Sequence, residues 1–298
     1  MNAWDRVGAV TVAFNSASVI GACLESIRPA KRVVVVDNAS TDDSVAVAMR
    51  ALPTAEIVRA GGNIGFGRGN NLGIERLDTE FALLINPDAV MQPGSVEALV
   101  AAADRFPHAA LLGPVLMGPD GAIHQSHNLD FFRRVAAGSW RNPIRPEGDI
   151  SVGHLSGAVL LARAAAIKAL GGFDPAIFLF YEDDDLCLRL KAAGHELVRV
   201  ADAVALHQGG KSSGTGQRVS WIKFRAMGWS RLHIERKHRG SAALARTASW
   251  LMTRHAARAA GNLLLGRWQK TRQHAAWLAG MAAFLSGRPS IDSAQGRG

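Results

Sequence analysis

Along residues 7–106, short unbroken hydrophobic runs alternate with segments whose apolar positions recur every three or four residues. The runs read as strands and the periodic segments as helices. Val7-Gly-Ala-Val-Thr-Val-Ala-Phe14 is the first strand, and Asn15-Ser16 caps a helix carrying Val19, Ile20, Cys23, Leu24 and Ile27 on one stripe. Arg32-Val-Val-Val-Val36 ends at Asp37-Asn38, Ser40-Thr-Asp-Asp opens a second helix, and residues 56–59 form a third, shorter strand. Strand and helix alternating at this spacing imply βαβ units around a parallel sheet, an α/β fold.

Phe81-Ala-Leu-Leu-Ile85 is apolar throughout, as a strand buried on both faces must be, and Asn86-Pro87 ends it because proline has no N–H for the ladder. Asp88 is thereby placed just past a strand's C-terminal end, the edge where open α/β sheets bind ligands. Asn-Pro-Asp is also ordinary turn chemistry. Downstream, the spacing predicts a helix over 93–106, a strand over 109–117, a turn at Asp120-Gly121, a strand over 152–161 interrupted by Ser156-Gly157, and a helix over 163–170. Residues 124–150, with His124, His127, Phe131, Phe132 and Trp140 among arginines and prolines, read as a functional loop or lid, the two histidines being exposed loop residues.

Two further stretches carry candidate chemistry. Residues 61–73 hold glycine at six positions but not the dinucleotide pattern, since Asn70 stands where a third glycine belongs and the segment follows the third strand. Arg68, at the mouth of a helix predicted over 69–77, suits a diphosphate, or is a solvated arginine in a glycine-rich turn. Glu182-Asp-Asp-Asp185 opens a helix stopped by Gly194, with Leu186 and Leu190 on its buried stripe. Acidic residues match a helix N-terminus, and Asp185 can pair with Arg189 one turn on. Glu182 and Asp183, however, directly follow Phe178-Leu-Phe-Tyr181, and a carboxylate against an aromatic wall is what a general base needs. His207 lies just past two short strands over 196–200 and 203–206; with Asp88 it would complete an oxygen- and nitrogen-rich site for a hard divalent ion.

Composition then separates two regions. From Gln208 onward there are 16 Lys/Arg against two acidic residues, leaving 18 against 23 in residues 1–207. An acidic body thus carries a basic tail suited to an anionic surface, lipid or nucleic acid. The tail interleaves Trp221, Trp229, Trp250, Trp268 and Trp277 with arginines, and its longest uncharged run, 273–287, is too short to span a bilayer. Basic helices with tryptophans suit a position on a membrane surface; packing on the body or forming an oligomer remains the alternative. Cys23 and Cys187 sit in apolar contexts as reduced core thiols, and no secretory h-region precedes the first strand, so a cytoplasmic protein is expected.

Taken in order, Thr11-Val-Ala-Phe-Asn15, Val36-Asp-Asn-Ala-Ser-Thr-Asp42, Asn63-Ile-Gly-Phe-Gly-Arg-Gly-Asn-Asn71, Asn86-Pro-Asp88, Ser156-Gly157, Gly171-Gly-Phe-Asp174, Glu182-Asp-Asp-Asp185 and His207 resemble inverting family 2 glycosyltransferases, most closely the rhamnosyltransferase branch. The resemblance covers about residues 7–210. It implies a GT-A fold, a catalytic domain over 1–210 with a basic helical region over 211–298, and a nucleotide-sugar donor. It further implies donor contacts from Thr11, Asn15, Asp37, Asn38, Gly65, Arg68, Asn71 and Asn86, acceptor contacts from Ser156, Gly157 and Tyr181, and Mg²⁺ or Mn²⁺ at Asp88 and His207. Asp183 matches the catalytic base, with Glu182 beside it. Asn86 replaces a more usual aspartate, and Asp184 stands where an apolar residue is usual. dTDP-rhamnose is the expected donor, a UDP-sugar of galactofuranose type the second, and the acceptor a saccharide or lipid-linked hydroxyl at the inner face of the cell membrane. Two other classes compete: a nucleic-acid-binding scaffold, disfavoured by the acidic body, and a nucleotidyltransferase, disfavoured because no lysine-bearing glycine loop follows the first strand.

Overall fold

Four apolar runs pair in parallel in the order β3-β2-β1-β4: β1 (Val7–Ala13), β2 (Arg32–Asp37), β3 (Glu56–Arg59) and β4 (Phe81–Ile85). The crossovers carry α1 (Ile20–Ser26), α2 (Ser44–Ala51) and α3 (Phe66–Ile74). Side chains alternate in direction along a strand, so Ala9, Ala13, Val33, Val35, Leu83 and Ile85 feed one core while Val10, Val12, Val34, Val36, Ala82 and Leu84 feed another on the opposite face. Burial on both faces explains why these strands read as unbroken hydrophobic runs. The computed structural model describes residues 2–128, 147–209 and 216–291; the expected lid residues Phe131, Phe132 and Trp140 fall outside them.

Beyond β4 the sheet turns mixed. β5 (Ala89–Met91) and α4 (Ser95–Arg105) precede β6 (Ala109–Met117), β7 (Ile123–His124), β8 (His127–Asn128), β9 (Ile150–Ser151), β10 (His154–Leu155) and β11 (Val159–Arg163). After α5 (Ala164–Ala169) and α6 (Glu182–Ala192) comes β12 (Glu196–His207), and the path continues β4-β11-β6-β12-β5. The turn at Asp120-Gly121 does join an antiparallel pair, Leu116 opposite His124. His124 and His127 are therefore half-buried strand residues rather than exposed loop, His127 lying opposite Leu155. The strand expected over 152–161 is two strands, because Ser156-Gly157 leaves the ladder to meet α6. The two short strands expected over 196–206 are one, with a register shift between Arg199 and Val204 that keeps it paired to β6. α3 begins three residues earlier than its spacing suggested, since Gly65 (φ +91°) forms the turn into it.

The basic tail folds as α7 (Gln217–Leu264), interrupted at Gly240 (φ +78°), and α8 (Trp268–Leu285). A Cβ on Gly228 would strike the carbonyl of Trp277, and one on Gly280 that of Arg225, so glycine on each helix permits backbone-to-backbone packing. Trp229, Leu232, Leu251, Met281 and Phe284 fill the seam. One lysine and two histidines of the tail turn inward: His233 and Lys237 reach Asp174 at 3.0 and 2.7 Å, and Lys237 and His238 each reach Asp185 at 2.8 Å. No helix among the described residues is long and apolar enough to cross a membrane.

Candidate active site

The first turn of α6 gives its four carboxylates four different settings. Phe180 and Tyr181, just before it, both take left-handed backbone (φ 65° and 69°), a conformation costing non-glycine residues about 1–3 kcal/mol each. Neighbouring bonds hold it: Phe66 N–H donates to the carbonyl of Phe178 (3.1 Å) and Ser230 Oγ to that of Leu179 (3.2 Å). The turn delivers Asp183 to the break in the strands, where Oδ2 accepts from the N–H of Gly157 at 2.8 Å and Oδ1 from that of Asp184 at 3.0 Å. A Cβ on Gly157 would lie 3.0 Å from Asp183 Cβ, so glycine permits the approach. The Asp183 side chain keeps 22% of its surface exposed, enough to meet a substrate.

Asp184 points the other way, burying its carboxylate with Oδ1 2.8 Å from Nε2 of His154, itself 3.7 Å from Asp183 Oδ2. Burial works against charging His154, but Asp184 and Asp183 outweigh it and raise the imidazole to about 9. The apolar residue more usual at position 184 is thus replaced by half of a buried ion pair. Burial, reinforced by Asp183 and Asp184, pushes Glu182 well above the usual carboxylate range. Of the two residues expected to carry catalysis, Glu182 is buried and Asp183 keeps an exposed face. Asp185 is committed to the body by Arg189 (2.7 Å), Lys237 and His238, which hold its carboxyl low against the opposing effect of burial.

The second carboxylate, Asp88, arrives with the end of β4. Pairing of β5 with β12 sets His207 opposite Ala89, leaving Asp88 Oδ1 3.4 Å from His207 Nε2. The ring of His124 meets His207 edge-on. Beside them, Asn86 Oδ1 is buried with no hydrogen-bond partner among the described residues. Carboxylate, imidazole and amide oxygen together are the donor set that Mg²⁺ or Mn²⁺ accepts. His154, Asp183 and Asp184 also bring ligand atoms within 4.8 Å of one another. There, however, the 2.8 Å contact and the Gly157 N–H bond already use those atoms on one another, so the triad reads as a charge pair. A short backbone path joins the two carboxylates: Asn86 N–H donates to Ala158 (2.9 Å), next to the Gly157 that holds Asp183.

The model of "Glycosyl transferase family 2" matches residues 9–171. The chain belongs to this glycosyltransferase family. It is 32% identical over 262 residues to the N-acetylglucosaminyl-diphospho-decaprenol L-rhamnosyltransferase of Mycobacterium tuberculosis, a match covering 76% of this chain and 84% of that one. It is 26% identical over 164 residues to rhamnosyltransferase WbbL of Escherichia coli K12, covering 50% of this chain and 62% of that protein. Among solved structures it resembles S. aureus TarS 1-349 in complex with UDP (TM-score 0.54, 13% identity, 95% and 92% covered) and the Pyrobaculum calidifontis mannosyltransferase with GDP-Man and Mn²⁺ (TM-score 0.54, 18% identity, 94% and 87% covered). The sheet with its helical flanks is accordingly a GT-A fold.

Among the expected donor residues of this glycosyltransferase, Asn15 (φ 51°) accepts from Thr41 N–H at 2.8 Å, Asp37 from Ser40 N–H at 3.0 Å and Asn38 from Ile64 N–H at 2.9 Å, so these three knit the loops after β1, β2 and β3 together. Gly65 packs against the Phe178 carbonyl, and Arg68 Nε donates to Pro175 at 2.8 Å. Two expected donor contacts are placed elsewhere. Strand parity turns Thr11 toward α1, where it is fully buried against the Cys23 thiol, beneath the cleft rather than in it. Asn71 gives both its amide groups to Phe173, donating to the carbonyl (2.9 Å) and accepting from the N–H (2.8 Å), and so staples the loop ahead of α6. Of the expected acceptor residues, Ser156 and Gly157 lie at the base, while Tyr181 packs with Ile177 and Ile234. The sequence reading missed His154 and Lys223. Burial lowers the Lys223 ammonium of α7, and the charge of Asp88 acts in the opposite sense. A lone histidine and a tail lysine carry no local signal; only the fold brings them in.

Proposed function

We propose that this glycosyltransferase moves rhamnose from dTDP-rhamnose to a hydroxyl of a lipid-linked saccharide, inverting the anomeric centre. The single observation that carries the reading is the carboxylate of Asp183, fixed by two N–H donors yet partly exposed, on the same sheet edge as the Asp88–His207 pair. Asp183 takes the proton of the acceptor hydroxyl as that oxygen bonds to the anomeric carbon; the bond from that carbon to the diphosphate breaks and its electron pair leaves with the nucleotide. One displacement by one base inverts the configuration. Asp88 and His207, with Asn86, would hold a divalent ion, which supplies positive charge for the leaving diphosphate. Arg68 and Lys223 are the cations this chain itself sets around that edge.

The relative named for N-acetylglucosaminyl-diphospho-decaprenol supports an acceptor carrying a prenyl diphosphate, and both rhamnosyltransferase relatives support the sugar. The basic α7–α8 pair is read as lying on an anionic membrane beside that acceptor, with residues 1–210 as the catalytic unit. A radiolabelled dTDP-rhamnose assay with a prenyl-diphosphate-linked N-acetylglucosamine acceptor and Mn²⁺ tests the proposal. Labelled lipid product that vanishes in Asp183→Asn is the expected result; transfer from a UDP-sugar in preference would replace the donor, and undiminished transfer by Asp183→Asn would remove the mechanism.

A further inference from the structure

A cavity of about 730 Å³ lies outside the carboxylate sites, between the loop ahead of Asp183 and the starts of α7 and α8. Phe180, Trp221, Phe224 and Trp268 give it aromatic walls, and Lys223 and Arg272 are its charged groups; no carboxylate lines it among the described residues. Both ends of the cavity matter. Phe180, on its wall, stands three residues before Asp183, which sets one end beside the proposed base, and Lys223 lines the same cavity. Arg272 donates to Gln217 on the facing helix, which fixes its guanidinium across the mouth. At the other end, Trp268 (66% exposed) opens α8 just past the turn between the helices, and Leu263, Leu264 and Leu265 at the end of α7 are exposed in succession, Leu264 at 87%. Arg267 and Lys270 flank that tip. Three consecutive exposed leucines beside two cations form an apolar patch at the tip, and apolar side chains beside cations match an amphiphile with an anionic head.

We propose that this cavity binds an amphiphilic phosphate, a prenyl-type chain joined to phosphate or diphosphate, with the anion between Lys223 and Arg272 and the chain running past Trp221 and Trp268 to the leucine tip. The assignment rests on the reading that the acceptor is lipid-linked, and it specifies where the lipid part sits. The occupant's head would then meet the cleft beside Phe180, bringing whatever sugar it carries toward Asp183. Neither a free anion nor a plain apolar ligand uses both halves of the lining.

Farnesyl diphosphate in non-ionic detergent, titrated into the full chain and followed by tryptophan fluorescence with saturating dTDP present, tests this. Binding is expected to persist under dTDP, with farnesol and inorganic diphosphate each at least about tenfold weaker, because each forfeits either the charge-assisted bonds or the apolar burial. Arg272→Ala, Lys223→Ala and Trp221→Ala should each weaken it about tenfold. Arg272→Lys should recover most of the loss, and dTDP affinity should not change in Arg272→Ala or Trp221→Ala. Displacement by dTDP, equal binding of inorganic diphosphate or of farnesol, or no loss in Arg272→Ala and Trp221→Ala would overturn the proposal. A wild-type protein that binds farnesyl diphosphate but not dTDP would leave this cavity assigned and remove the donor reading instead.

Discussion

Asp183 and Asp88 sit on one sheet edge, and the chain treats them in opposite ways. Asp183 is held from the backbone by Gly157 and Asp184, with a buried imidazole behind it, and keeps an exposed face. Asp88 is buried at a strand end with its Oδ1 3.4 Å from His207 Nε2, two residues past an Asn86 whose amide oxygen has no hydrogen-bond partner among the described residues. A carboxylate that must receive one proton along one line needs its direction fixed, whereas one that shares a cation needs other donors at its side and cations nearby to meet phosphate charge. On the proposed mechanism, the difference between the two stations is a difference of job.

The comparison breaks most sharply at Asp183. Asp183→Asn keeps the shape and removes the proton acceptor, so turnover should fall by about 10²–10⁴ while dTDP affinity stays within about twofold of wild type, measured by product formation and calorimetry. Next comes the support behind it. His154→Ala leaves Asp184 buried without its imidazole, which should cost about 3–5 kcal/mol of unfolding free energy by urea titration. The pH dependence has a definite sign: an imidazole raised in the fold to about 9 from an ordinary 6.5 stabilises fully below 6.5, and that contribution is lost as pH climbs through 9. Wild-type stability should decline over that window, and His154→Gln should flatten the decline.

At the other station the effect is smaller and conditional. Asp88→Ala and His207→Ala should each reduce Mn²⁺-supported donor binding by about 10²-fold and leave metal-free binding little changed. Asn86→Asp restores the charge more common at that position and should strengthen Mn²⁺ dependence. Smallest is the tail's anchor: Asp174→Asn, which weakens the contacts of His233 and Lys237 to the body, should cost about 1 kcal/mol with turnover nearly unchanged. A large loss of activity there would mean that α7 positions the site more strictly than its bonds suggest.

What the sequence made legible follows from how local each feature is. Strands buried on both faces show as apolar runs, and Asp88 and Asp183 stand at the ends of such patterns, so both carboxylates could be found by reading along the chain. The Asp185–Arg189 pair, one helical turn apart, was legible for the same reason. His154 was not, because its partner lies 30 residues away and meets it only where Ser156-Gly157 breaks the strand. Thr11 and Asn71 misled for a related reason: a polar residue in a glycine- or strand-rich motif looks available, but parity buries the one and Phe173 occupies the other. Charge counting found the basic tail but not its anchor, since Asp174 and Asp185 hold Lys237 and two histidines, His233 and His238, onto the body.

The division of labour between the two stations is tested most directly by titrating dTDP, with and without Mn²⁺, into Asp183→Asn and Asp88→Ala side by side. The expected pattern is crossed: Asp183→Asn retains wild-type affinity and its Mn²⁺ enhancement, and Asp88→Ala loses the enhancement. Equal loss of Mn²⁺-dependent affinity in both variants would contradict it, because Asp183 would then belong to the cation's site and not to the acceptor's proton.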